Sequence, residues 1–131
     1  MEMPKVLLID RCRITALLLK HLAARIGVRA DTADSYEAGL QLAQTQDYPL
    51  CFIDASILAR SGSEALRPLR ARPDGGSRRL IVLSSLGEEA HATDLTAAGA
   101  DGVFFKPIVP SRVIGEIERA VPAELEPHGA L

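Results

Sequence analysis

The feature that most constrains this chain is an alternation repeated five times along its 131 residues: a short apolar run, then a longer stretch with helical spacing. The runs are Val6-Leu7-Leu8-Ile9, the weakly alternating Val28 to Ala33, Leu50-Cys51-Phe52-Ile53, Leu80 to Leu83, and Gly102 to Phe105. Each is too short for a stable helix, and most are rich in residues that suit a sheet buried on both faces. Strands that alternate with helices form a parallel sheet, because each crossover returns the chain to the same end. The pattern therefore predicts an α/β fold of three layers, with a five-stranded parallel sheet between helices. The run at 28–33 is the most polar, so it is placed near an edge.

The intervening stretches supply the helices. After the first run, Ile14, Leu17, Leu18, His21, Leu22 and Arg25 fall on one side, and Gly27 ends the pattern. Asp34-Ser35-Tyr36-Glu37 reads as a capping box with Asp34 as cap, followed by Tyr36, Leu40 and Ala43 at helical spacing. A loop running to Gly62 precedes a helix over about Ser63–Arg72, which Pro68 should kink or shorten. Pro73-Asp74-Gly75-Gly76 marks a turn. Residues 88–98 are Ala-rich and helical, and Gly99 stops them. Ser111 is read as the cap of a last helix that turns Val113, Ile114, Ile117 and Val121 inward. One domain over 1–121 and a flexible tail over 122–131 follow from this order.

Composition narrows the function classes. A net charge of −2 gives no bulk attraction to nucleic acid or membrane. The longest apolar runs are far below the ~18 residues of a membrane span, and the N-terminus lacks a signal-peptide pattern, so a cytoplasmic location is expected. Cys12 and Cys51, the two cysteines, form neither a disulfide framework nor a zinc site and are read as small core residues. Arg67, Arg70, Arg72, Arg78 and Arg79 are read as a charged, exposed stretch around the turn at 73–76. It lacks the interleaved aromatics of a nucleic-acid surface, so direct nucleic-acid binding is not expected. His21, His91 and His128 are read as solvated.

In open parallel sheets the chemistry lies beyond the carboxyl ends of the strands. There the chain places Asp10-Arg11, Asp54, Ser84-Ser85 and Lys106-Pro107. Paired carboxylates suit a hard cation such as Mg²⁺. A hydroxyl and an ammonium suit phosphoryl oxygens. A carboxylate can itself attack phosphorus to form an aspartyl phosphate.

The segments VLLID at 6–10, FID at 52–54 with Gly62 eight positions beyond Asp54, VLSS at 82–85 and AGADGVFFKPI at 98–108 carry a resemblance. Over residues 5–121 the chain resembles a receiver domain of bacterial two-component response regulators. The resemblance implies a flavodoxin-like strand order 2-1-3-4-5 and a signalling role rather than an enzymatic one. It implies that Asp54 is the phosphoacceptor, that Ser84 and Lys106 bind the phosphoryl group, and that Asp10, Asp54 and the backbone carbonyl of Ser56 hold Mg²⁺. It also implies a cis bond before Pro107, a sensor histidine kinase or histidine phosphotransfer protein as donor, an output partner the sequence does not name, and a habit of homodimerising through the fourth helix, fifth strand and fifth helix. A phosphatase with Asp54 as nucleophile would want a second acid at position 56, where this chain has Ser56.

Three positions depart from the family pattern. The second acid of the first strand's pair is Arg11, the aromatic switch position of the fifth strand is Val103, and the usual proline four residues after the phosphoaspartate is Leu58. Arg11 makes the set Asp10, Asp54, Arg11 and Lys106 formally neutral, which weakens the field that attracts Mg²⁺. Unit charges ~4 Å apart interact by about 4 kcal/mol at an effective dielectric near 20, so the loss is large. Three readings of Arg11 stay open. It turns to solvent beside a weakened metal site, it bridges an aspartate in a pseudo-receiver that works as an unphosphorylated interaction domain, or it binds the phosphoryl group. Val103 has one stiff rotamer and little reach, so a signal is expected to leave through Ser85–Glu88 or the helix after them.

Overall fold

A computed structural model of the chain describes residues 3–85 and 92–121. Its five strands are β1 (Lys5–Ile9), β2 (Arg29–Ala33), β3 (Leu50–Asp54), β4 (Arg79–Ser84) and β5 (Gly102–Phe105), all parallel in the order β2-β1-β3-β4-β5. The helices are α1 (Arg13–Arg25), α2 (Tyr36–Thr45), α3 (Ala55–Ser61), α4 (Leu66–Arg70), α5 (Ala92–Ala97) and α6 (Pro110–Ala120). The expected tail at 122–131 and the expected signal route through Ser85–Glu88 lie, wholly or in part, outside the described residues.

Strand alternation divides the core. Val6, Leu8, Leu50, Phe52, Ile81, Leu83 and Phe104 pack with Leu19, Leu22 and Ala23 of α1 and Val113 and Ile117 of α6. Leu7, Ile9, Cys51, Ile53, Leu80 and Val82 face the other way, onto residues of α2, α3 and α4. Burying each such aliphatic side chain stabilises the fold by about 1.5–3 kcal/mol. The two faces thus fix both layers of helices on the sheet.

Several local expectations are corrected. In α1, Ile14 and Leu17 are 77% and 67% exposed, while Thr15, Leu19, Leu22 and Ala23 are buried; His21 is exposed, in keeping with its reading as solvated. Eight of the thirteen residues of α1 are apolar and they fall on several faces, so spacing leaves its phase open, and the small Thr15 and Ala23 allow the closest approach to the sheet. The cap of α2 is Ser35, whose Oγ accepts from Ala38 N at 3.1 Å, not Asp34. Glu37 is then one residue too early to close a capping box, and it stays in the first turn, where its charge suits the helix dipole.

The third crossover is the largest difference. The expected loop after Asp54 is the helix α3, which ends at Gly62 in the left-handed region (φ 83°), whose N–H donates to Leu58 O. A 3₁₀ turn over Ser63–Ala65 follows, and α4 is only five residues long around Pro68. Pro68 lies in the first turn of α4, where its missing N–H costs little. In α6, Pro110 rather than Ser111 opens the helix, after Val109. Proline fits this first position because its N–H would be unpaired there anyway.

The basic stretch is dispersed. Arg78 is fully buried, Arg72 pairs with Asp47 at 2.7 Å, Arg79 with Glu116 at 2.6 Å, and Arg70 with Asp101 at 3.3 Å. Sequence proximity grouped these arginines, but parallel topology sends each to a different partner. Cys51 is buried as expected and Cys12 is exposed, because it stands outside the sheet as the residue before α1.

Candidate functional site

The carboxyl ends of β1, β3, β4 and β5 converge. Asp10 follows β1, with its N–H held by Ala33 O at 2.9 Å, at the end of β2. Asp54 ends β3 opposite Leu83 of β4, so Ser84 stands one residue beyond its level. Ser84 pairs in register with Phe105, and its carbonyl accepts from Lys106 N. Asp10, Asp54 and Ser84 are 5%, 7% and 1% exposed, so the chemistry-bearing groups are nearly closed off from water.

Lys106 organises the pocket. Its Nζ lies 2.8 Å from Asp10 Oδ2 and 2.9 Å from Asp54 Oδ1. Burial disfavours the ammonium, but hydrogen bonds and charge from the two aspartates outweigh burial and raise its pKa above the ordinary lysine value. The Lys106–Pro107 bond is cis. Val103 is half-buried on β5 and packs against the layer that includes Leu95 and Ala98 of the α5 region.

The remaining aspartate oxygens are also engaged. Asp10 Oδ1 accepts from Cys12 N at 2.9 Å. Asp54 Oδ2 accepts from Ser56 N at 3.1 Å and from the Ser56 hydroxyl. Asp54 is therefore also the N-cap of α3. Sequence reasoning missed this second task, although the run Ala55-Ser56-Ile57-Leu58-Ala59 behind an Asp is a helix-start signal. It missed the Ser56 hydroxyl as well.

These contacts bear directly on a metal. Both oxygens of each carboxylate are already used, the third acid is Arg11, and Ser56 lies in the first turn of α3. Helical carbonyls point along the helix axis toward later N–H groups, not sideways into a pocket. The donor set present is a poor fit for a divalent cation. Arg11 itself is exposed. It lines a cleft of about 660 Å³ with Asp10, Cys12, Arg13, Thr32 and Asp34. Among the described residues the bridge between Asp10 and Asp54 is made by Lys106 and not by Arg11, so the expected bridge from Arg11 to an aspartate is corrected.

The family model for the response regulator receiver domain matches residues 6–118. The chain belongs to this family. The cell cycle transcriptional regulator CtrA of Caulobacter vibrioides is 29% identical over 117 residues, which are 89% of this chain and 50% of that regulator. The probable chemotaxis protein CheY of Rhizobium etli is 26% identical over 118 residues, 89% of this chain and 92% of that protein. The chain thus spans about half the length of CtrA but nearly all of CheY. Among solved structures, the chemotaxis response regulator CheY4 of Vibrio cholerae superposes with a TM-score of 0.76 at 21% identity, covering 92% of this chain and all of that one, and supports the fold. Receiver domains are signalling domains whose standard role is to accept a phosphoryl group. They interact with histidine kinases or phosphotransfer proteins and generally bind Mg²⁺ at the acidic pocket. No helix among the described residues is long and apolar enough to cross a membrane.

Proposed function

We propose that this receiver domain accepts a phosphoryl group on Asp54 from a sensor histidine kinase or a histidine phosphotransfer protein in the cytoplasm. The observation that carries the reading is the ion pair from Lys106 to both Asp54 and Asp10 at the carboxyl end of the sheet. An Asp54 oxygen bonds phosphorus as the bond from phosphorus to the donor's histidine nitrogen breaks, and the imidazole leaves with that electron pair. Lys106 neutralises charge on the phosphoryl oxygens as it develops, and Ser84, buried at the adjacent strand end, offers a hydroxyl to another. Low exposure around Asp54 strengthens each of these interactions. Mg²⁺ binds more weakly here than in pockets with a second acid at position 11.

The test is chemical. The chain is incubated with acetyl phosphate and weighed intact. The expected result is the mass of one added phosphoryl group, absent in Asp54→Asn. A chain that stays unlabelled under conditions that label ordinary receivers would contradict the reading.

A further inference from the structure

We propose that Arg11 carries, as part of the chain, the positive charge that a divalent cation brings to this class of pocket, so that Asp54 accepts its phosphoryl group without metal. The proposal rests on Asp54 being the phosphoacceptor and adds how the charge of transfer is met. Replacing an acid with arginine changes the formal charge of the pocket by two, which is the charge of the ion it displaces. Asp10, Asp54, Arg11 and Lys106 together are formally neutral before transfer, as a pocket with three acids, one lysine and a bound divalent ion would be. After transfer the aspartyl phosphate adds about one negative charge in both cases. The two pockets therefore keep the same balance at each stage.

The contacts agree with this balance. The four carboxylate oxygens that would face a metal are occupied by Lys106, Ser56 and the Cys12 N–H. Lys106 already balances two aspartates, so its single charge does not by itself offset the negative charge that the phosphoryl group adds. Arg11 is the residue next to Asp10, is exposed, and is tied to neither aspartate; it lines the cleft on the far side of Asp10 with Thr32 and Asp34, and its long side chain has to swing from there to reach a phosphoryl group on Asp54. Its planar fork suits two phosphoryl oxygens, which a lysine's single nitrogen cannot span. The reaction balances with acetyl phosphate alone. An Asp54 oxygen bonds phosphorus, the bond from phosphorus to the acetyl oxygen breaks, and acetate leaves with that electron pair.

The experiment measures labelling by acetyl phosphate, read as intact mass, in EDTA and in Mg²⁺. The wild-type chain should label in EDTA at a rate within about threefold of that in Mg²⁺, a barrier difference below one tenfold step. Arg11→Ala should lose labelling in EDTA by about tenfold or more with an unchanged circular dichroism spectrum, and Arg11→Asp should label about tenfold faster in Mg²⁺ than in EDTA. Labelling of the wild type in Mg²⁺ alone overturns metal independence and leaves Asp54 as acceptor. Arg11→Ala labelling in EDTA as fast as wild type overturns the role of Arg11. No adduct in either condition overturns the reading of Asp54 on which the proposal stands.

Discussion

Arg78 shows what a single residue can hide from sequence reasoning. Its guanidinium donates to Tyr48 O at 2.6 Å, Ala43 O at 3.0 Å, Ala71 O at 3.1 Å, and Leu69 O. These carbonyls come from segments far apart in the chain, so no local pattern announces the cradle, and the residue reads as one more charge near a turn. Removing the fork strands buried carbonyls, each costly when unpaired. Arg78→Ala should cost about 3 kcal/mol or more in urea denaturation, and Arg78→Lys should recover little, because one ammonium cannot reach around the fork. A loss below about 1 kcal/mol would place the carbonyls in water instead. The cysteines make a second contrast. Bonding from the Thr15 hydroxyl and N–H lowers the pKa of the exposed Cys12 thiol, whereas burial pushes Cys51 up to about 12. Iodoacetamide at neutral pH should label Cys12 alone, and Cys51 should react only once the chain is unfolded, as peptide mass mapping would show. Early labelling of Cys51 would contradict its place inside the sheet. Asp10, Asp54, Ser84 and Lys106 were readable because strand ends are where this architecture exposes chemistry. The hydroxyl of Ser56 was not, since its use depends on α3 starting at once after Asp54.

At the scale of elements, four of the five strand–helix units follow from spacing and the third does not. Its helix is divided by Gly62 and a 3₁₀ turn, and such a division leaves little periodicity in either piece. The phase of α1 was also hidden, since Leu and Ala fill several faces and only packing selects one. Packing likewise decides Gly39, at the buried face of α2. A Cβ there would run into Cδ1 and Cγ1 of Ile9, which is fully buried in β1 and has nowhere to move. Alanine would gain about 1 kcal/mol in helix propensity and lose about 1–3 kcal/mol to overpacking. Gly39→Ala should therefore destabilise the fold despite the better helix former. Ile9→Val combined with it should cost less than the two single changes added together, because shortening the side chain makes room. Strict additivity would mean that α2 and β1 yield without strain.

Across the whole molecule, the sheet order and the layers were legible because βα alternation leaves few topologies. The ion pairs that tie distant parts were not, since each joins residues brought together only by the finished sheet. Lys106 is the most far-reaching of these, joining the end of β5 to the ends of β1 and β3. Burial works against its charge, yet the bonds to Asp10 and Asp54 raise its pKa above the ordinary 10.5. A lysine whose pKa is higher folded than unfolded contributes stability that is complete below the unfolded value and is lost as pH rises through the folded one. The advantage of the wild type over Lys106→Met should thus be full at pH 7 and shrink above about pH 10.5. Tyr36, Tyr48 and Cys51 also have raised pKa values and also lose stability in alkali, but they are present in both proteins, so the difference between the two isolates Lys106. Chemical denaturation of both proteins across this pH window measures that difference. An advantage that stays constant to the alkaline end would mean that the lysine acts through its aliphatic stem, and an advantage that grows there would reverse the sign of the linkage. The same comparison bears on the proposed acceptor role of Asp54, because the charge that steadies the three strand ends is the one a phosphoryl group on Asp54 would engage.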